Sequence, residues 1–351
     1  MELSRRDFIK SLLVSGGTLF IAGWGGAGEA SGSKEAWQPA YQKLEDEGRF
    51  AERIERAYRA FEACELCPRC CGMNRSAGEM GFCRAPAKAV VYSHTPHFGE
   101  ELPLVGRRGS GTIFFSHCNL RCVFCQNWPI SHEGRGAQIS EETLADMMLE
   151  LQGMGCHNIN LVTPTHMMPN ILKATRIGLK RGLRLPLCYN TSGYERVENI
   201  RLLDGVVDIY LPDLKFMEGS EAARYAASAD DYPEKAQKAI IEMHRQVGDL
   251  VRDRDGVALR GLMVRHLVMP NRLAGTREFV RWVAENLSKS TYVNIMSQYR
   301  VAHQAFEYPA IARAITVDEF LEAMDWAEQA GLNNLDSRAE AQRGLFRLRR
   351  Q

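Results

Sequence analysis

Cys118-Asn-Leu-Arg-Cys122-Val-Phe-Cys125 is the most informative stretch of this 351-residue chain. Three thiolates on one short loop can bind three corners of a cubane [4Fe–4S] cluster and leave the fourth iron without a protein ligand. Such an iron is free to coordinate a substrate or cofactor, unlike the irons of a cluster held by four cysteines. The alternative is a structural zinc loop, which needs a fourth ligand such as His117.

The cysteine spacing is C-x3-C-x2-C, and an aromatic residue, Phe124, stands directly before the third cysteine. This pattern resembles the cluster motif of the radical S-adenosylmethionine (SAM) superfamily. Zinc loops usually pair two couples of closely spaced cysteines, which this stretch alone does not contain. We therefore expect an iron–sulfur cluster here.

The composition is that of a folded chain with a sizeable core, since hydrophobic residues make up 45% and charged residues 25%. The formal net charge of +1 gives no electrostatic indication of nucleic acid or of an acidic partner. A chain of this length can form one large domain with appendages, or two domains.

Eight of the ten cysteines fall in two groups within residues 64–125. The first group is Cys64-Glu-Leu-Cys67-Pro-Arg-Cys70-Cys71 with Cys83. Cys64, Cys67, Cys71 and Cys83 offer four ligands, enough to close a zinc site or to bind an auxiliary iron–sulfur cluster. Such a closed site would be structural or would relay electrons. Disulfides are a third possibility if the protein is exported.

The N-terminal stretch Ser4-Arg5-Arg6-Asp7-Phe8-Ile9-Lys10 resembles the twin-arginine (Tat) export motif. A mildly apolar, glycine-rich segment follows, and the small residues of Ala30–Ser33 would suit a signal peptidase. This order indicates a signal peptide rather than a membrane span. We expect export to the periplasm through the Tat translocon.

Export conflicts with the supply of SAM and of low-potential electrons, which are familiar as cytoplasmic resources. An exported enzyme would need an unusual supply. The alternatives are that the leader tethers the protein to the inner face of the membrane, or that the protein is cytoplasmic.

From Gly111 onward, short β-branched or aromatic runs alternate with amphipathic helical stretches, which predicts β/α units. The predicted strands are Thr112–Phe115, Asn158–Val162, Leu185–Tyr189, Val206–Leu211, Gly261–Met269 and Tyr292–Ser297. The predicted helices are about Glu141–Met154, Asn170–Arg181, Glu195–Leu203, Pro233–Val247, Thr276–Leu287 and Val317–Ala330. Six units are too few for a closed eight-stranded barrel, so we expect an α/β fold built as an open, three-quarter TIM-type barrel.

The sequence divides into four predicted segments. These are a leader (1–33), a helical lead-in with the cysteine-rich segment (34–108), the barrel (109–335) and a charged C-terminal tail (336–351). In the second segment, apolar residues at a period of about 3.6 predict helix over residues 38–61.

Each predicted strand is followed by a conspicuous polar motif. In strand order these are Cys118–Cys125, Thr163-Pro-Thr-His166, Asn190-Thr-Ser-Gly193, Asp213-Leu-Lys215, His266 with Asn271, and Gln298-Tyr299. Catalytic groups of barrel enzymes lie on the loops at the C-terminal ends of the strands. The six motifs therefore predict one shared site at that end.

Further motifs resemble an uncharacterised branch of the radical SAM proteins, labelled "pyruvate formate-lyase activating enzyme-like", over roughly residues 60–335. They are Cys-x-Leu-Cys-Pro-Arg at Cys64, Cys125-Gln-Asn-Trp128-Pro-Ile-Ser131, Leu161-Val-Thr-Pro-Thr-His166, Asp208-Ile-Tyr-Leu-Pro-Asp-Leu-Lys215, Arg265-His-Leu-Val-Met-Pro270 and Met296-Ser-Gln-Tyr299.

This resemblance implies that Cys118, Cys122 and Cys125 are the catalytic cluster ligands, and that SAM chelates the open iron. It implies that one electron from the reduced cluster cleaves SAM to a 5′-deoxyadenosyl radical, which abstracts hydrogen from a substrate. A low-potential donor of the flavodoxin or ferredoxin type would supply the electron.

The resemblance also implies cofactor contacts. Activating enzymes usually carry Gly-Gly-Glu-Pro after the second strand. This chain has Thr163-Pro-Thr-His166 there, so backbone carbonyls and the Thr163 or Thr165 hydroxyl would have to bind the SAM amino group. Asn190 and Thr191 match a polar pair near the SAM carboxylate or ribose.

Asp213 and Lys215 match an Asp-x-Lys motif whose lysine would pair with the SAM carboxylate. An ordinary salt bridge between these two residues is the alternative. His266 could reach the ribose or adenine, or could be a hydrogen-bonded core histidine. The full set of expected cofactor contacts is Phe124, Thr163, Thr165, Asn190, Thr191, Asp213, Lys215 and His266.

Three functions remain open from sequence. The first is an activase-like enzyme that removes hydrogen from a glycine of a partner protein. The second is radical SAM modification of a small molecule or of another macromolecule. The third is a non-catalytic, metal-stabilised exported protein.

Overall fold

The structure is a computed structural model, and it describes residues 37–348 of the chain. The predicted leader (1–33) lies outside the described residues. Within 37–348, no helix combines the length and apolar composition that crossing a membrane requires.

In the described part of the chain, a mixed sheet of nine strands forms the centre of an α/β fold. The strands are β1 (Ala89–His97), β2 (Ser110–Phe115), β3 (Ala137–Ile139), β4 (Ile159–Val162), β5 (Leu187–Thr191), β6 (Ile209–Pro212), β7 (Val251–Arg252), β8 (Ala258–Leu267) and β9 (Tyr292–Met296). Six of them pair in parallel in the order β2-β4-β5-β6-β8-β9. Their C-terminal ends therefore lie on one side of the sheet.

Helices connect and cover these strands. They are α1 (Ala40–Asp46), α2 (Phe50–Arg59), α3 (Leu102–Val105), α4 (Trp128–Ser131), α5 (Glu141–Gly153), α6 (Met168–Lys180), α7 (Val197–Leu202), α8 (Gly219–Tyr225), α9 (Tyr232–Val247), α10 (Thr276–Asn286), α11 (Val317–Gln329) and α12 (Ser337–Leu348). The six predicted strands and the six predicted helices after Gly111 are all confirmed, with bounds that differ by a few residues.

The central strands follow from their composition. Every residue of β5 and β6 is buried, as expected for parallel strands covered on both faces.

The start of α11 is fixed by a local capping motif. The hydroxyl of Thr316 accepts from the amide of Glu319 at 3.1 Å, and the Glu319 carboxylate accepts from the amide of Thr316 at 2.8 Å. This reciprocal capping box fixes the start of α11.

The predicted lead-in helix is two helices in the structure. Gly48 lies between α1 and α2 with a φ of +71°, a conformation that ends a helix and that glycine adopts without strain. α1 is attached to the sheet, because the amide of Ala40 donates to Asp208 Oδ1 at 2.8 Å and Tyr41 Oη donates to the Leu185 carbonyl at 2.8 Å.

Two further differences concern the edges of the fold. The predicted charged tail contains α12, whose Phe346 ring meets Phe320 of α11 with centroids 5.9 Å apart. β1, which pairs antiparallel with β2 and β3, was not predicted from the sequence. Pro96 lies in this run, and proline within a run argues against a central strand. It is tolerated because β3 pairs only with Ala89–Val91.

Candidate cluster and cofactor site

The loop that carries the three cysteines, called here the cluster loop (residues 116–125), begins where β2 ends. His117 and Arg121 have φ values of 73° and 49°, so the backbone turns through the left-handed region twice. The loop is tied to α8, since the amide of Val123 donates to the Tyr225 carbonyl at 2.9 Å. It is tied to α4 as well, because the amide of His117 donates to the Ile130 carbonyl at 3.0 Å.

The three thiols are free, with Cys122 buried and Cys118 and Cys125 half-buried. Burial raises the pKa of Cys118 and of Cys122, and neighbouring thiols of the loop raise both further. The amide of Leu120 donates to the Cys118 sulfur at 3.4 Å. The three side chains therefore share one electrostatic environment, in which the thiolate form needs a cationic partner.

The zinc alternative needs a fourth ligand such as His117, and the structure does not bring His117 into a group of possible metal ligands. Its ring packs edge-on against His166, with centroids 6.5 Å apart. Among residues 37–348, no three Cys, His, Asp or Glu side chains converge closely enough to bind a single metal ion.

A buried ionic network lies at the C-terminal ends of β5, β6 and β8. Asp213 accepts from Lys215 Nζ at 2.5 Å and from Arg265 Nε at 2.7 Å. Arg265 also donates to Asn190 Oδ1 at 2.6 Å. Burial would raise the pKa of Asp213, but Arg265 and Lys215 hold it below its usual value. Asp213 is therefore a carboxylate shared by two cations.

Lys215 places a positive charge beside the cluster loop. Two further acids lie near Arg265: Glu100 is 3.5 Å from Arg265 Nη1, and Glu101 interacts with Arg265 electrostatically. Burial raises the pKa of Glu100 to about 7. Lys215 is close enough to the loop to oppose the raised pKa of both Cys118 and Cys122. This is the charge that an anionic cluster or a cofactor carboxylate requires nearby.

Two of the predicted threonines are already engaged. The hydroxyls of Thr165 and Thr191 both donate to Glu195 Oε1, the first at 2.5 Å. Glu195 is 1% exposed and joins the ends of β4 and β5. Thr163 is partly exposed with a φ of 59°, and its amide donates to the Asn190 carbonyl at 2.9 Å. Of the two threonines proposed for the SAM amino group, Thr163 is thus the one that is accessible.

Because the carboxyl group of Glu195 is buried, we expect the free energy of unfolding to depend on pH. Burial raises its pKa from 4.5 to about 7, so between these values the folded state binds a proton that the unfolded state lacks. The free energy of unfolding then falls as pH rises through this window, by up to about 1.4 kcal/mol per pH unit for one group. Glu195→Gln should flatten the slope by that amount in urea unfolding from pH 4.5 to 7.

The matched control is Glu142→Gln, which replaces an exposed carboxylate on α5. It should leave the slope unchanged. An unaltered slope in the Glu195 variant would contradict the protonated, buried carboxyl described above.

Gly193 closes the polar motif after β5 and cannot carry a side chain. Its φ is +81°, and an added Cβ would lie 2.2 Å from the Asp213 carbonyl oxygen. Gly193→Ala should therefore cost more than about 1 kcal/mol in the free energy of unfolding. Gly153→Ala is the control, since nothing lies within 4 Å of its Cβ position, and it should be neutral or slightly stabilising. Equal effects in chemical denaturation would refute this account.

His266 and Phe124 do not join the network. His266 is 0% exposed, and its ring nitrogens lie 2.6 Å from the Leu214 carbonyl and 2.9 Å from Thr276 Oγ1. This arrangement is the core histidine considered as the alternative. Phe124 packs with Phe216 and Tyr299, with ring centroids 6.0 and 6.1 Å away.

Arg265 and Glu195 were not identified from the sequence as residues of the site. Successive strand residues point to opposite faces, so Arg265 and His266 cannot both reach the network. The bridge between Asp213 and Arg265 places Arg265 beside the acid, while His266 stacks on Phe279 of α10 at 4.2 Å. The signal available in sequence was the unpaired charge of Arg265 inside an apolar strand. Glu195 had a weaker signal, an acid in the short connection between β5 and α7.

A cleft of about 620 Å³ borders the cluster loop. Its lining includes Arg121, Trp128, His132, Arg224, His303 and Tyr308. The ring of His303 stacks on Trp128 with centroids 5.3 Å apart and meets His132 at 4.4 Å. The volume falls in the range of small-molecule sites, and the lining combines aromatic faces with two cations.

Comparisons with known proteins agree with the cysteine pattern. The model of the radical SAM superfamily matches residues 112–243. The uncharacterized protein MJ0674 of Methanocaldococcus jannaschii is 35% identical over 273 residues, which cover 75% of this chain and 73% of that protein. The chain belongs to the radical SAM superfamily.

Solved structures are similar at a greater distance. HydG, a maturase of the [FeFe]-hydrogenase, has a TM-score of 0.42 and 13% identity, covering 61% of this chain and 48% of that one. Methylornithine synthase (PylB) has a TM-score of 0.40 and 14% identity, covering 64% and 69%. TYW1 with a lysine–pyruvate adduct has a TM-score of 0.39 and 10% identity, covering 62% and 73%.

The residues present fit the groups that this family implies. Three free thiols on one loop supply the ligands of a [4Fe–4S] cluster and leave one iron without a protein ligand. The Lys215 ammonium, which lies close to Cys118 and Cys122, would supply positive charge for the carboxylate of SAM.

Proposed function

We propose that this chain is an activase-like radical SAM enzyme that uses Cys118, Cys122 and Cys125 as its cluster ligands. The observation that carries the proposal is the pairing of three mutually interacting thiols with the cationic network of Lys215 and Arg265. When bound, the cluster supplies the electron that cleaves SAM and generates a hydrogen-abstracting radical.

The network residues bind and orient SAM in this proposal. The Lys215 ammonium pairs with the SAM carboxylate as a compact charge, and Asp213 positions both Lys215 and Arg265. Arg265 in turn fixes the amide of Asn190 through its 2.6 Å hydrogen bond. The partly exposed Thr163 hydroxyl and the neighbouring backbone carbonyls receive the SAM amino group.

Glu195 acts one step further from the cofactor. Its carboxyl oxygen fixes the hydroxyls of Thr165 and Thr191, so the loops after β4 and β5 keep one conformation. Preorganised polar loops of this kind lower the entropy cost of holding a cofactor in reactive geometry.

The substrate in the activase-like proposal is a glycine of a partner protein, from which the enzyme removes a hydrogen atom. The support is the set of motifs shared with the activating-enzyme-like branch. A small-molecule substrate is the second candidate, and the cleft beside the cluster loop favours it because its aromatic rings and its charged groups, among them Arg121, Arg224 and Glu133, suit a polar small molecule. A flavodoxin- or ferredoxin-type donor supplies the electron in both cases.

The experiment is anaerobic turnover without substrate. Reconstituted, reduced protein given SAM should slowly release 5′-deoxyadenosine and methionine. A non-catalytic, metal-stabilised protein would release neither. Deuterium transfer into 5′-deoxyadenosine from labelled partner proteins or from labelled small molecules then distinguishes the two substrate classes.

We further propose that the leader directs the protein to the Tat translocon. Replacing Arg5 and Arg6 together with lysine should move the protein from the periplasmic to the cytoplasmic fraction. An unchanged, soluble cytoplasmic distribution in both forms would remove the export proposal, and an inner-membrane fraction would favour tethering.

A further inference from the structure

The four cysteines Cys64, Cys67, Cys71 and Cys83, called here the Cys64 group, lie in one compact loop structure. The amide of Cys64 donates to the Met73 carbonyl at 2.9 Å, and the amide of Gly72 donates to the Cys64 carbonyl at 3.0 Å. Cys64, Cys67 and Cys83 are buried. The backbone therefore holds the four side chains in one neighbourhood, with Cys71 the half-buried member.

The four thiols of this group also lie close to one another. Cys64 and Cys83 each interact electrostatically with Cys71, and Cys67 interacts with both Cys64 and Cys83. Clustered cysteine sulfurs are the ligands that structural zinc and iron–sulfur clusters take.

The structure also separates Cys71 from its neighbour Cys70. The Cys71 sulfur packs directly over Gly81, where an added Cβ would lie 2.3 Å from it. Cys70 is exposed, and its thiol donates to the Cys67 carbonyl at 3.4 Å. Cys71 is therefore the member of this pair that belongs to the group.

Arg75 is the observation that decides the chemistry. Its side chain is buried, with the residue only 2% exposed, and in residues 37–348 no carboxylate lies within ion-pair distance of it. The guanidinium donates to the carbonyls of His166, at 2.8 Å, and of Pro86, and lies 4.4 Å from the centroid of the Phe61 ring, while its Nε has no hydrogen-bond partner in the described structure. Burying a cation without a counter-charge is unfavourable.

The groups near Arg75 that can carry negative charge include the Cys64 and Cys83 thiols, which lie close enough to interact with its guanidinium. Two disulfides would leave the group neutral and Arg75 uncompensated. Four thiolates around Zn²⁺, or around a [4Fe–4S]²⁺ cluster, carry a net charge of −2 and supply the missing counter-charge.

We propose that the Cys64 group binds a closed, anionic four-thiolate metal centre, and that Arg75 is its buried counterion. The thiols do not converge on a single ion in this structure. Binding zinc therefore requires rotation of the side chains, whereas the ligands of an iron–sulfur cluster stand farther apart.

The proposed centre lies against the cluster loop. The Cys83 thiol lies close enough to Cys118 for the two to interact electrostatically. The Arg75 guanidinium donates to the His166 carbonyl, and His166 Nε2 lies 2.7 Å from the Ser116 carbonyl. The site therefore braces the start of the cluster loop.

The test uses the full chain with Cys118, Cys122 and Cys125 all replaced by alanine, so that any metal bound belongs to the Cys64 group. Anaerobic apo-protein is offered Zn²⁺ alone, or Fe²⁺ with sulfide. The proposal expects about one zinc or about four irons with four sulfides per chain, and the arm that saturates identifies the metal. Adding Cys67→Ser should abolish this binding, while Cys70→Ser is the matched control and should retain it.

Arg75 is tested by its two variants in the same background. Arg75→Met should speed metal loss to a chelator about 10- to 100-fold, as is typical when a partner outside the ligand shell is lost, and Arg75→Lys should restore part of the difference. Folded protein that binds neither metal, retention after Cys67→Ser, or two disulfides found by thiol alkylation would overturn the proposal. Metal at the Cys64 group in a protein that cleaves no SAM would refute only the radical SAM proposal.

Discussion

Replacing Cys122 with alanine should remove the cluster and stop SAM cleavage. Cys122 is the buried member of the three thiols, so no water or neighbouring side chain within the loop can take its place easily. Changing a residue that contacts a metal ligand typically lowers metal affinity or activity about 10- to 100-fold. The loss of a ligand itself should lower them further. We expect release of 5′-deoxyadenosine to fall more than about 100-fold, together with the visible absorbance of the cluster.

The control is Cys156→Ala. Cys156 is also buried but belongs to neither cysteine group, and it packs below the start of β2 against Gly111. This variant should keep the iron, the absorbance and the activity. Wild-type activity in Cys122→Ala, or equal loss in both variants, would contradict the assignment of the ligands.

Asp213→Asn should have the largest effect on stability among single changes at the site. Asp213 alone accepts from both Lys215 and Arg265, and these two side chains are 18% and 16% exposed. Removing one partner of a buried ion pair typically costs about 3–5 kcal/mol because the remaining charge is left uncompensated. The free energy of unfolding in urea should fall by about this amount, and the KM for SAM should rise.

Glu322→Gln provides the comparison. Glu322 accepts two hydrogen bonds from Arg272 at 2.7 and 2.9 Å, but Arg272 is 66% exposed. Exposed pairs contribute about 0–1 kcal/mol. Similar losses in the two variants would indicate that burial does not strengthen the Asp213 network.

Much of the fold was predictable because local signals agree with the tertiary structure. β5 and β6 are short apolar runs between helical stretches, and each became a buried parallel strand. β1 was not predictable in this way, since its role depends on antiparallel pairing with β2 and β3 across the chain. The helix α12 was not predicted because its many charged residues suggested a tail. It is stabilised by contacts such as the ion pair between Arg343 and Asp325, at 2.6 Å.

The position of the site could be predicted from the sequence, but the contacts between its side chains could not. The motifs after the strands located Asp213, Lys215 and Asn190 on one side of the sheet. Which face each residue of β8 presents depends on register, so Arg265 was overlooked in favour of His266. The hydroxyls of Thr165 and Thr191 were predicted as ligand contacts, but only the structure brings them to Glu195.

The most direct test of the account is electron paramagnetic resonance of the anaerobically reduced protein, recorded with and without SAM. The variant with Cys67→Ser serves for this measurement, so that the Cys64 group adds no signal. We predict the spectrum of a reduced [4Fe–4S] cluster whose g values shift when SAM is added, because SAM occupies the iron that the chain leaves open. A spectrum that SAM leaves unchanged, or no cubane signal at all, would contradict the central claim.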